Sequence, residues 1–258
     1  MFNAKATLNR TEPAMNYYYE ALYHDLKAPL TILFLHIQTM EKENLSPLAL
    51  DTLEDIKRSS FRIAKLICDA NDRVRLEQGL FQPKYVMTNA VALLKGICET
   101  ARPLMSAKDI HIVFESLENS FEMAMDKQLW ERILLNLLVN GRDFSYPGDK
   151  ICVSIRREDG DFVLSVRDFG NGVSPELESC VFSPYIGDTK RGARSGLGLY
   201  IVKELVTLMK GEVHLLRANP GTNVVIRAPI FYAEGTQQTM TVDDFFNDNL
   251  VQIELSGI

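Results

Sequence analysis

Apolar residues at Tyr19, Tyr23, Leu26, Leu30, Leu33, Ile37 and Met40 are spaced alternately by four and by three. That rhythm is the seam of a coiled coil or helical bundle, and it predicts a helix from about Met15 to Glu43. Glu43-Asn44-Leu45 reads as a turn. Ser46-Pro47 then starts a second helix, with a side-chain cap followed by proline at the first helical position. Leu53, Ile56, Ser60, Ile63, Ile67, Ala70 and Val74 continue the rhythm until Gly79 stops it. Two helices with a short connection make an antiparallel hairpin. One hairpin has too little material to cover both seams, so the pattern predicts a homodimer joined as a four-helix bundle. The alternative is an intramolecular helical pair lying on the rest of the chain.

After Gly79 the pattern changes character. Phe81–Met87 reads as a strand, Asn89–Met105 as a helix, and Ile110–Glu115 and Ser120–Ala124 as short strands. Asp126 caps a helix through about Phe144. Lys150–Arg157 and Asp161–Arg167 alternate as an antiparallel hairpin around Asp159-Gly160. Ser174–Ser195 is a long stretch rich in Pro, Gly and charge, the kind of loop that carries function in a compact domain. Gly196–Lys210 reads as a helix, and Gly211–Leu216 and Thr222–Ala228 as paired strands. The class is α+β: a helical hairpin followed by a sandwich of helices on one face of a mixed sheet. The expected organisation is a flexible lead at 1–14, the hairpin at 15–79, the sandwich at 80–231 and an acidic tail at 232–258.

Composition narrows the partners. A formal charge of -6 argues against nucleic acid, because binding phosphate backbones needs a basic field. Cys68, Cys98, Cys152 and Cys180 form no CxxC pair and suit a reducing compartment. The longest apolar runs fall far below the ~18 residues of a membrane span. The first fourteen residues lack the apolar core of a signal peptide. A cytoplasmic protein with no membrane span in this chain is the expectation.

Four clusters carry candidate chemistry. His24-Asp25 lies just off the first seam, so its imidazole is expected to reach solvent, with Pro29 expected to bend the helix beside it. Asn136 and Asn140, four apart, share a helix face where amide oxygens can help hold a hard cation or simply cap the core edge. Asp168-Phe169-Gly170-Asn171-Gly172 ends a strand. Its carboxylate can accept a hydrogen bond from an exocyclic amine such as adenine's, or the motif is a plain turn. Ser195-Gly196-Leu197-Gly198-Leu199 opens a helix, where glycines either free backbone N–H groups for phosphates or serve packing.

In this order the clusters resemble the catalytic core of a two-component sensor histidine kinase, over roughly Met15 to Phe231. His24–Thr31 resembles the phosphoacceptor box, Asn136–Asn140 the asparagine box and Asp168–Gly172 the first glycine box. Val181-Phe182-Ser183-Pro184-Tyr185 resembles the phenylalanine box, and Gly196–Leu199 the second glycine box. The resemblance implies an ATP-binding domain of the histidine kinase, gyrase and chaperone superfamily, using ATP and Mg²⁺. It implies His24 as the nucleophile, with Asp25 holding the imidazole tautomer and accepting its proton. Asn140 with Asn136 would hold Mg²⁺. Asp168 would read adenine, Gly170 and Gly172 would make room, and Phe144 would line the ring. Gly196, Gly198 and Leu199 would support the phosphates beneath a lid at Ser174–Ser195. The implied partners are a second copy, a response-regulator receiver domain whose aspartate takes the phosphate, and a separate sensor protein.

Three departures stand out. Ala28 occupies a position where the family often has Thr or Asn for dephosphorylating the partner. Asp143 stands where a phosphate-touching Lys or Arg is usual, with Arg142 one place earlier. Arg194 replaces a glycine, and lid cations Lys190, Arg191 and Arg194 are candidates to restore the missing charge. These departures leave a phosphotransfer adaptor with a degenerate nucleotide site as the alternative function. ATPases of the superfamily carry Glu where Asn136 sits, so hydrolysis is not expected.

Overall fold

The computed structural model describes residues 12–185, 196–232 and 253. The lead through residue 11, residues 186–195 and nearly all of the tail lie outside it, and with them Lys190, Arg191, Arg194 and Ser195. The chain divides into two units, one reaching to Phe81 and one starting at Gln82.

The first unit is the helical hairpin, α1 (Glu12–Met40) and α2 (Pro47–Glu77). Helix α1 begins three residues ahead of expectation, because Pro13 is tolerated in a first turn where its missing N–H costs nothing. Ser46 caps α2 by accepting from the Ala49 amide at 3.3 Å. Gly79 ends it at φ +65°, and the Leu80 amide turns back to the Arg75 carbonyl at 2.9 Å. The buried stripe is Leu30, Phe34 and Ile37 on α1 and Leu53, Phe61, Ala64 and Cys68 on α2. Phe34 and Phe61 anchor it with ring centroids 4.5 Å apart.

That stripe coincides only in part with the seam read from the sequence: Leu30, Ile37, Leu53 and Ser60 are buried as expected. Leu26, Met40, Ile56 and Ile63 belong to the expected seam and are exposed, as are Leu22, Ile32, Leu35 and Leu66. The physical reason is that each helix carries two apolar faces. The hairpin buries one, and the alternating four-three seam runs partly along the other.

In the second unit, β1 (Val86–Asn89) pairs antiparallel with β3 (Glu122–Met125) as a small separate sheet. The main sheet has the order β2-β4-β5-β7-β6, from β2 (His111–Ser116), β4 (Lys150–Glu158), β5 (Asp161–Arg167), β6 (Glu212–Arg217) and β7 (Thr222–Pro229). β2 runs parallel to β4, and all other pairs are antiparallel. Helices α3 (Ala90–Ser106), α4 (Lys127–Phe144) and α6 (Gly198–Leu208) pack together and on one face of this sheet, while α5 (Pro175–Glu178) is a single turn in the long loop. Trp130 of α4 meets Phe162 of β5 edge-on at 5.0 Å, and Leu134, Leu138, Ile201 and Leu205 fill the layer around them.

Two of the boundaries that move have a cause in particular residues. Phe81–Tyr85 is not strand: Pro83 has no amide for a ladder, and the Lys84 amide donates to Asp126 at 2.7 Å instead. Asp126 also caps α4 through the Gln128 and Leu129 amides, so one carboxylate fixes both segments. Helix α6 starts two residues late because Gly196 has φ +63°, outside helical space.

Candidate active site

In the hairpin unit, His24 and Asp25 are exposed on α1. Tyr23 stands edge-on to the imidazole at 6.0 Å, and Lys27 lies 5.9 Å from the Tyr23 ring. Pro29 is inside the helix, so the Asp25 carbonyl has no amide four residues on. Thr31 returns a hydrogen bond to the Lys27 carbonyl at 3.0 Å. Helix α1 therefore carries an accessible imidazole beside a partly unsatisfied backbone.

In the second unit, a pocket partly open to solvent lies between α4, the ends of β5 and β7, and the start of α6. Asp168 forms its polar floor and is only 7% exposed. Its Oδ1 accepts from the Gly170 amide at 3.0 Å and the Thr222 amide at 3.2 Å. Its Oδ2 accepts from the Thr222 hydroxyl. An ionised carboxylate has about four acceptor sites, so Oδ2 keeps a lone pair for a ligand. Leu137, Val166, Val173, Leu215 and Val224 make the walls apolar, and Asn140, Gly141, Phe144 and Leu199 complete the lining.

The pocket thus brings together Asn140, Phe144, Asp168 and Leu199 from the sequence reading, while Asn136, Gly170, Gly172, Gly196 and Gly198 are not among its lining residues. Asn136 is 2% exposed; its amide donates to the Arg132 carbonyl at 2.9 Å. Its Oδ1 sits 2.8 Å from where a side chain on Gly198 would begin, so Gly198 lets α6 close onto α4. Gly170 has a backbone role: a Cβ there would lie 1.8 Å from the Phe144 carbonyl oxygen. Gly172 adopts φ +70° and packs against Gly221. Gly196 accepts from the Tyr185 amide at 3.1 Å, closing the neck of the loop. Lys190 and Arg194 lie outside the described residues.

Arg142 does not replace the missing cation. Its side chain is 2% exposed, and Nε donates to Asp143 at 3.1 Å. Burial pulls its guanidinium down to about 10. Thr222 was missed from sequence, where it reads only as the first residue of a strand. The one signal was the Gly221-Thr222 pair: Gly221, at φ +89°, is the only residue type that fits against the Asp168 carbonyl, 2.1 Å from its would-be Cβ.

Residues 125–231 match the histidine kinase-, DNA gyrase B-, and HSP90-like ATPase family. The sensor histidine kinase YvrG of Bacillus subtilis is 31% identical over 212 residues, which is 80% of this chain and 37% of the relative. This chain is a histidine kinase catalytic core. Histidine protein kinase DivJ of Caulobacter vibrioides is 27% identical over 232 residues, 84% of the kinase core and 38% of DivJ. Among solved structures, full-length ShkA in complex with AMPPNP shares the fold at a TM-score of 0.71 with 23% identity, covering 85% of this core and 47% of ShkA. The core spans less than two fifths of the length of these two curated relatives. Among the described residues no helix is long and apolar enough to cross a membrane.

Proposed function

We propose that this core binds ATP in the Asp168 pocket, phosphorylates His24 and passes the phosphoryl group to an aspartate of a response-regulator receiver domain. The observation that carries the nucleotide step is the Asp168–Thr222 floor, a buried carboxylate with one lone pair left beneath apolar walls. That arrangement suits a flat ring bearing an exocyclic amine, and Phe144 is positioned to lie against it. The half-exposed carboxamide of Asn140 is a hard oxygen donor at the rim, which fits Mg²⁺. Asn136, held behind it, keeps Asn140 and the start of α6 in register. Bound there, Mg²⁺ would neutralise charge on the phosphate oxygens. The start of α6, where Leu197 supplies no side-chain cap, is the helix end that would face the same oxygens.

His24 supplies the attacking imidazole nitrogen. A P–N bond forms as the bond from the γ-phosphorus to its bridging oxygen breaks, ADP leaves, and Asp25 takes the imidazole proton. In the second step the P–N bond breaks as an aspartate oxygen of the receiver attacks. Asn136 stands where a hydrolase would need a base, and a carboxamide cannot take a proton, which favours transfer over hydrolysis. The exposed apolar faces of α1 and α2 support a homodimer, since a second hairpin would cover them.

The test is autophosphorylation with γ-labelled ATP and Mg²⁺ in wild type, His24→Ala and Asn140→Ala. Acid-labile, base-stable label on wild type alone supports the reading. A second reading, a phosphotransfer adaptor, is favoured by one observation: Asp143 and the buried Arg142 put no cation where phosphate would sit. A folded wild type that takes no label from ATP, yet is loaded at His24 by a phosphorylated receiver domain, would establish the adaptor instead.

A further inference from the structure

Helix α4 ends against the loop that follows β5, and one residue makes the joint. The Phe144 carbonyl is the last of α4 and has no amide four residues on within the helix. It accepts instead from the Asn171 amide at 3.1 Å. The Asn171 side chain reaches two residues further along the same segment, where its Oδ1 accepts from the Tyr146 hydroxyl. Asn171 therefore grips both ends of Phe144-Ser145-Tyr146. The middle adds little from outside the helix. The Ser145 amide donates back to Gly141 at 3.1 Å, and the Ser145 hydroxyl is buried with no hydrogen-bond partner among the described residues.

The Tyr146 end is fixed from its other side as well. Its amide donates to the Asp149 carboxylate at 2.7 Å, and its carbonyl accepts from the Asp149 amide at 3.0 Å. Within that turn the Gly148 amide donates to the Asp109 carbonyl at 2.8 Å, just ahead of β2. A tyrosine that is 56% exposed can leave its hydroxyl to water; this one is carried on an anchored turn and bonds Asn171. Neither Tyr146 nor Asn171 lines the pocket, whereas Phe144 does. Asp168 does not depend on this clasp, because the Thr222 amide and hydroxyl hold its carboxylate from β7.

We propose that Tyr146 is a positioning residue for nucleotide binding: through Asn171, its hydroxyl holds the Phe144 backbone so that the Phe144 ring stands ready against a flat base. The inference rests on the nucleotide reading of the pocket. A ring already in place spares the ligand the cost of ordering it on binding. The clasp acts on stacking, which every base shares, and leaves the reading of the exocyclic amine to Asp168.

The test is titration calorimetry of the full chain with ATP and with inosine triphosphate, which has a carbonyl in place of adenine's amine. Tyr146→Phe deletes the hydroxyl alone. Its Kd should rise by about three- to tenfold for both nucleotides, the worth of one hydrogen bond, with the ratio between them unchanged. In an Asn171→Asp chain, which keeps the acceptor, adding Tyr146→Phe should still cost that factor. In an Asn171→Ala chain, which lacks it, adding Tyr146→Phe should cost nothing further. A Tyr146→Phe chain that binds both nucleotides as wild type does overturns the proposal. So does a loss that persists in the Asn171→Ala background or is absent from the Asn171→Asp background. A shifted ratio between the two nucleotides would place the effect on Asp168 and overturn it too. Wild type that binds neither nucleotide refutes the reading of the pocket itself, whereas wild type that binds ATP with Tyr146→Phe unaffected refutes the positioning alone.

Discussion

Replacing Asp168 by asparagine turns one acceptor, Oδ2, into an N–H₂ donor and leaves the rest of the residue in place. Oδ1 still accepts from the Gly170 and Thr222 amides, and the Thr222 hydroxyl can rotate to accept from the new amide. The fold should therefore lose no more than about 2 kcal/mol. The ligand loses more. A hydrogen bond to a charged group is worth about 1.5–3 kcal/mol, and an adenine amine set against a donor adds about 1–3 kcal/mol of unmet desolvation. At 1.4 kcal/mol per tenfold, the Kd for ATP should rise by about 10²- to 10⁴-fold. Titration calorimetry on wild type and Asp168→Asn, with thermal melting as the control for folding, measures this directly. Inosine triphosphate, which has a carbonyl in place of the amine, supplies the second arm. Wild type should prefer ATP, and the variant should lose that preference because its amide can donate to the carbonyl. A folded variant that binds ATP within about threefold of wild type would refute the assignment of Asp168 as the base reader.

Gly170→Ala should destabilise the second unit by more than about 3 kcal/mol in urea melts, because its Cβ would meet the Phe144 carbonyl oxygen 1.8 Å away, where only backbone could yield. Phe61→Ala removes half of the 4.5 Å ring contact with Phe34 and should cost the hairpin about 3–5 kcal/mol, read as an earlier loss of helical circular dichroism. Leu26→Asp changes a residue that is exposed in the single hairpin; it should leave each hairpin helical while shifting the mass measured by light scattering from dimer to monomer. Burial pushes the Cys98 thiol up to about 12, so native protein should leave Cys98 unalkylated at pH 9 while Cys180 reacts.

Most of the fold was legible because its signals are local. Ser46-Pro47, Asp126 and Asp159-Gly160 each fix a cap or a turn through residues within four positions, and all three stand where the pattern put them. The hairpin seam was harder. A four-three repeat states that a helix has an apolar stripe, but with two such faces on α1 it does not state which one the neighbouring helix takes. The pocket divided in the same way. Asp168 and Asn140 were found by spacing within a motif, whereas Thr222 lies 54 residues from the carboxylate it serves and reads as an ordinary strand residue. Gly170 was read as room for a ligand, and Gly198 as a support for phosphates or a packing glycine. In the structure Gly170 leaves room for a backbone carbonyl, and Gly198 packs against a buried carboxamide. Such contacts join segments distant in sequence, and no local pattern announces them.

The backbone contacts at Gly170 and Gly221 decide where this pocket can be remodelled. Between them they lock the end of β5 against the last turn of α4 and the start of β7, with main-chain atoms on both sides of the nearest contacts. That wall has no side chain to trim. The opposite walls are side chains, Val173, Leu199 and Leu215. A nucleotide analogue enlarged at its base would have to be admitted there, by cutting Leu215 or Leu199 back to alanine, with the Asp168 floor left as it is.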